Sequence, residues 1–211
     1  MSAREEILNR LNYRQGSSTT LKPWRSERQY SDLAGKFGQA LTAANGEFFQ
    51  EESLDSALLR IGEILEELQV ARAVVDDQPP LTESDLSGRW PEISWHIVGQ
   101  SEGDLRSFAA AADIGISVGE AALAETGSVL VSSGPNRSRL TGLLPPAHLA
   151  LVPGSALTTD IFTWTAGREG SFPASMTLIS GPSKTADIEQ TMATGVHGPG
   201  RFIVVVYSDD D

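Results

Sequence analysis

Apolar residues recur at helical spacing through roughly the first hundred positions, then close up into short aliphatic runs separated by Gly, Ser and Thr. In SAREEILNRLN, Ile7, Leu8 and Leu11 share one side of a short amphipathic helix, and GSSTTLKPW reads as a loop or arm. ERQYSDLAGKFGQALTAANG keeps Tyr30, Leu33, Phe37, Ala40, Leu41 and Ala44 in helical register and stops at Asn45-Gly46, a helix C-terminal signal. SLDSALLRIGEILEELQ repeats the pattern through Leu54, Leu58, Ile61, Leu65 and Leu68, with Ser53 as its N-cap. ARAVVDD and ISWHIVG read as strands on either side of the turn DQPPLTESD.

Beyond Gln100 the pattern predicts an alternation. DLRSFAAAA is a helix, DIGIS a strand, GEAALAET a short helix, GSVLVSS a strand and RLTGLL a short helix. HLALVP and SMTLIS follow as strands, then a helix over TADIEQTMATG and a last strand RFIVVVY. Short strands rich in Val, Ile and Leu suit a sheet buried on both faces. The predicted architecture is therefore an α/β three-layer sandwich with a mainly parallel sheet. Residues 1–26 form an N-terminal helix and arm, and residues 27–208 form the α/β domain.

Composition narrows the chemistry. The 211 residues contain no cysteine and three histidines, His96, His148 and His197. Disulfides, thiolate nucleophiles and cysteine-held zinc or iron–sulfur groups are excluded, and no His-x-x-His pattern marks a metal site. A net charge of −12 argues against nucleic acid, whose phosphates require a basic face; the seven basic residues between Arg4 and Lys36 are interspersed with acids. No run approaches the ~20 apolar residues of a membrane span, and MSAREEILNR lacks the apolar run of a signal peptide. A soluble, cytoplasmic protein is expected.

Ligands of such sheets gather where strands give way to loops. Glu125, beside Thr126 and Ser128 in ETGS, is a candidate general base or holder of a substrate hydroxyl. The competing reading is a structural acid at a helix end capped by Gly127. Arg137 and Arg139 in GPNRSR form a candidate clamp for a carboxylate or phosphate, or a pair of solvated side chains. Gly181, Ser183 and Lys184 follow a predicted strand and precede a predicted helix N-capped by Thr185, with Asp187 in its first turn. This arrangement reads as an anion cradle, or as plain capping. His197, in VHGPG, is a loop histidine between flexible neighbours, whereas His148 reads as a strand-end side chain.

The segments ADIGIS, AALAETGSVLVSS, SRLTGLLPPAHLALVP and ISGPSKTADIEQTMATGVHGP together resemble the lactate-utilization domain family, and within it the C component. The resemblance covers about residues 111–207. It implies the fold of the ribose-5-phosphate isomerase, glucosamine-6-phosphate deaminase and CoA-transferase group, shared by 5-formyltetrahydrofolate cyclo-ligase. It also implies a part in oxidising L-lactate to pyruvate together with two iron–sulfur partner proteins, the clusters residing on the partners and no cofactor on this chain. Carried onto the matching positions, it makes Glu125, Thr126, Ser128, Arg139, Lys184, Asp187 and His197 the site; the family assigns no catalytic residue, and Glu125 and His197 are the catalytic candidates on their own chemistry.

Three classes of function follow. The leading one is a component of a lactate-oxidising complex that binds a small carboxylate or a partner through the C-terminal loops. The second is a stand-alone enzyme on a phosphorylated or carboxylated metabolite, and the third a scaffold or regulatory subunit. Self-association is left open by the residues.

Overall fold

A computed structural model describes residues 3–13, 24–168, 170, 172–186, 192–195 and 197–209. Helix α1 (Ala3–Tyr13) comes first. Helix α2 (Leu33–Ala43) begins where the Asp32 carboxylate accepts the Gly35 N–H at 2.8 Å, and ends at Asn45, whose φ of 71° is the left-handed turn anticipated there. Strand β1 (Glu47–Glu51) precedes α3 (Leu54–Glu67), where Ser53 and Ser56 each accept the other's backbone N–H in a capping box. Strand β2 (Arg72–Val75), helix α4 (Leu86–Arg89), strand β3 (Ser94–Ile97), helix α5 (Leu105–Ala110) and strand β4 (Ile114–Val118) follow. The chain continues through β5 (Ala121–Leu123), β6 (Ser128–Ser132), β7 (Ala147–Pro153), β8 (Leu157–Thr158) and α6 (Ile161–Gly167). It closes with β9 (Met176–Ile179), β10 (Lys184–Ala186), β11 (Met192–Thr194) and β12 (Arg201–Tyr207).

Six strands form a central sheet in the order β1-β12-β7-β4-β2-β3, every neighbouring pair parallel. Alternate side chains take opposite faces. Ala73, Val75, Ile114, Ile116, Leu149, Leu151, Ile203 and Val205 pack with Leu58, Ile61 and Leu65 of α3 on one face. Ala150, Val152, Phe202, Val204 and Val206 pack on the other, against Phe37 and Leu41 of α2 and against Ala122 and Val129 of a second sheet. Burial on both faces explains why these strands read as continuous aliphatic runs. The α/β sandwich with a parallel central sheet is thus the observed architecture.

A second sheet, β8-β5-β6-β9, packs beside the central one; its β5–β6 and β6–β9 pairs are antiparallel. Among the described residues, other structure stands where three helices were predicted. Ala121 and Ala122 of GEAALAET lie in β5, fully enclosed between β6 and β8, so packing overrides their helical propensity. RLTGLL is a run of turns that stops at Pro145-Pro146. TADIEQTMATG supplies β10 and β11, an antiparallel pair with Thr185 opposite Ala193, so Thr185 is a strand residue and caps no helix. Strands β1 and β8 and helix α6 are additions to the predicted elements.

Candidate functional site

The polar interruptions in the central strands meet at one place. Asp76 directly follows β2 and extends its ladder, donating its N–H to the Ile116 carbonyl at 3.0 Å. Its Oδ1 accepts the Ser138 N–H at 3.0 Å and the Thr141 hydroxyl at 2.8 Å, which ties the Ser138–Leu144 turns down over β4. Gly115 permits this approach, because a Cβ there would collide with the Thr141 carbonyl. Burial pushes the Asp76 carboxyl up to about 6, against the opposing pull of those two hydrogen bonds and of Arg137.

On the same sheet face Ser117 Oγ lies 2.8 Å from His148 Nε2. His148 is fully buried, and burial alone pushes its imidazole down to about 4, so the ring is neutral at pH 7. Among the described residues its Nδ1 has no hydrogen-bond partner. If the Ser117 hydroxyl donates to Nε2, the ring proton sits on Nδ1 and only that donor is left unmatched. The other tautomer strands both the serine proton and the Nδ1 lone pair. The first arrangement costs less, so Nδ1–H is the free group.

His148 lines two adjoining hollows. The smaller, about 20 Å³, is walled by Asp76, Ser117, Ser132 and Arg139 and has room for a single water. The larger, about 210 Å³, is walled by Leu143, Leu178, Ile179, Phe202, Ser180, Gly181, Ser183 and His197. Gly142 stands between them; a Cβ on it would lie 3.1 Å from His148 Cε1. Arg139 is exposed and makes no ion pair with a described residue. Ser183 is held beside the 197–199 loop by its N–H to the Pro199 carbonyl and by the Gly195 N–H to its own carbonyl, each 2.8 Å.

The structure thus gathers Arg139, Gly181, Ser183 and His197 of the expected set. Glu125 lies elsewhere, ion-paired at 3.0 Å with Arg28, which also approaches the buried Asp160 at 3.7 Å. Thr126 and Ser128 join Ser180 in a chain of hydroxyls spaced 2.7 Å apart, whose Ser180 end reaches the larger hollow. Gly127, at φ 65°, is not a helix C′ residue; it brings this turn against the backbone of α2, where a Cβ would strike Leu41 N. Lys184 donates to the Ala44 carbonyl at 2.9 Å, closing the end of α2, and it begins β10, so among the described residues no helix N-terminus stands there to cradle an anion. Arg137 pairs with Glu120 at 2.7 Å rather than standing in solvent. Asp187 lies outside the described residues.

Asp76, Ser117 and His148 were not singled out from the sequence. The available signal was their type: a serine in DIGIS and a histidine in HLALVP are polar residues inside runs otherwise buried on both faces, and buried polar groups require partners. Among the described residues no three His, Asp or Glu side chains cluster as metal ligands.

The LUD domain family model matches residues 34–207, from the start of α2 to the end of β12. The chain belongs to the LUD domain family. Among similar curated LUD proteins is lactate utilization protein C of Halalkalibacterium halodurans, 31% identical over 168 residues, 76% of this chain and 73% of that one. Lactate utilization protein C of a Geobacillus species is 26% identical over 226 residues, covering 97% of this chain and 94% of the relative. The crystal structure of a DUF162 family protein from Deinococcus radiodurans superposes with a TM-score of 0.53 at 15% identity, covering 83% of this chain and 96% of that one, which is a likeness of fold. The matched LUD span contains both hollows. No helix among the described residues is long and apolar enough to cross a membrane.

Proposed function

We propose that this LUD-domain chain serves lactate utilization and does so by binding a small carboxylate at the wall shared by the two hollows. The observation that carries the reading is a fully buried His148 whose Nδ1 has no hydrogen-bond partner among the described residues, in the wall of a hollow that Arg139 also lines without an ion-pair partner among them. A carboxylate supplies the acceptor oxygen that Nδ1–H lacks and the negative charge that Arg139 lacks. The names of the related lactate utilization proteins support the physiological setting.

Electron transfer from lactate requires a redox group, and a chain with no cysteine has no thiolate to hold an iron–sulfur cluster. In this reading the electrons pass to iron–sulfur partner proteins, while this chain holds the carboxylate and shields it from water. The test is a thermal-shift titration with lactate, pyruvate and acetate, paired with affinity purification from cells grown on lactate. Lactate or pyruvate at 100 times its dissociation constant should stabilise the fold by about 2.7 kcal/mol, and Arg139→Ala should abolish the shift. Absence of any shift, together with recovery of no iron–sulfur protein, would reject the proposal.

A further inference from the structure

Both hollows have more apolar than polar surface. Charged groups border the small one, where Asp76 and Arg139 stand with Ser117 and Ser132. In the large one the polar groups stand at the His148 end and along the Ser180–Ser183 rim, while Leu143, Leu178, Ile179, Pro199 and Phe202 supply apolar surface. Its volume is about 210 Å³ against about 20 Å³ for the small one, and a three-carbon hydroxy acid has only one methyl group to set against its apolar wall.

We infer that the site takes a carboxylate with an apolar tail longer than that of lactate, the carboxylate lying between Arg139 and His148 and the tail lying along Leu143, Leu178 and Phe202. The inference rests on the carboxylate reading of the site and adds the class of acid. Arg139 and His148 both line the smaller hollow, which places the head at that end, on the Arg139 side and away from the Asp76 carboxyl. Apolar surface places the tail. Leu143 and Leu178, 47% and 48% exposed on the wall of the larger hollow, would be covered by an aliphatic tail.

Each methylene buried against such a wall strengthens binding roughly four-fold. Calorimetric titration of the full chain with lactate, 2-hydroxybutyrate and 4-methyl-2-hydroxypentanoate reads this directly, with 4-methylpentan-1-ol as the tail without its carboxylate. Affinity should rise along the acid series, the longest acid binding roughly ten-fold or more tightly than lactate, and the alcohol should bind far more weakly than the acid of the same tail. Leu178→Gln should erase most of the gain of the longest acid over lactate. Lactate binding as tightly as the longer acids would overturn the tail inference and leave the carboxylate site standing. If no acid binds, the carboxylate site itself falls. Equal binding of the alcohol and the acid would overturn the placement of the head.

Discussion

Ser117 and His148, on the neighbouring strands β4 and β7, share a 2.8 Å hydrogen bond that occupies one ring nitrogen, and the other has no partner among the described residues. Two residues from separate strands thereby place a single unmatched donor in the wall of a hollow. Ser117→Ala removes the partner of Nε2 and leaves both ring nitrogens unmatched in a buried site. The expected cost is about 1–3 kcal/mol of folding stability, measured by urea denaturation. In a His148→Leu background the same change should cost much less, because no ring nitrogen remains to be stranded; equal costs in both backgrounds would show that the hydrogen bond contributes nothing.

Asp76 and His148 make opposite contributions to stability against pH. The Asp76 carboxyl is raised to about 6, so its contribution is fully present below the ordinary carboxylate range and is lost as pH rises towards 6. The His148 imidazole is lowered to about 4, so its contribution is present above about 6.5 and is lost as pH falls towards 4. Each amounts to about 3 kcal/mol, and between pH 4 and 6 they offset each other. Asp76→Asn keeps an acceptor for Ser138 and Thr141 but removes one side of the balance. Relative to wild type, that variant should lose stability as pH falls from 6 to 4. His148→Leu should show the reverse, gaining relative stability over the same fall. Urea midpoints across this range, taken as differences from wild type so that other carboxylates cancel, decide it; parallel curves for all three proteins would refute the assignment.

Gly127→Ala tests the contact between the ETGS turn and α2. A Cβ there would strike Leu41 N, and the residue is held at φ 65°. Strain and overpacking together should destabilise the fold by about 2–4 kcal/mol, seen as a lower melting temperature. Gly103→Ala, at a φ of 99° with open space around it, isolates the backbone cost alone and should be milder.

Glu125→Gln and Lys184→Ala separate the expected site from the observed one. Glu125 pairs with a half-exposed Arg28, and Lys184 closes the end of α2. Each change should cost about 1 kcal/mol or less and leave carboxylate affinity as it was, while Arg139→Ala should abolish binding with little effect on stability. Loss of binding in Glu125→Gln would return that residue to the site.

Local patterns were sufficient for much of the fold. Ser53 and the spacing of Leu58, Ile61 and Leu65 mark α3, Asn45-Gly46 marks the end of α2, and the aliphatic run of RFIVVVY marks a strand buried on both faces. These signals work because capping, amphipathic spacing and two-sided burial are properties of contiguous residues. The helices expected in GEAALAET and TADIEQTMATG failed for the complementary reason. Ala121 and Ala122 are fully enclosed by β6 and β8, and Lys184–Ala186 pairs with Met192–Thr194, partners that local propensity does not see.

By itself, then, the sequence determined the alternation of elements, the two-faced burial of the central strands, the absence of any thiol chemistry and the presence of Arg139, Ser183 and His197 on loops. Tertiary structure alone decided that Asp76, Ser117 and His148, from three different strands, face one another across a hollow, and that Glu125 and Lys184 are engaged elsewhere. The physical reason is reach: a hydrogen bond or an ion pair between residues far apart in the chain depends on sheet order and register, and those follow from how whole faces bury each other rather than from any local run of residues.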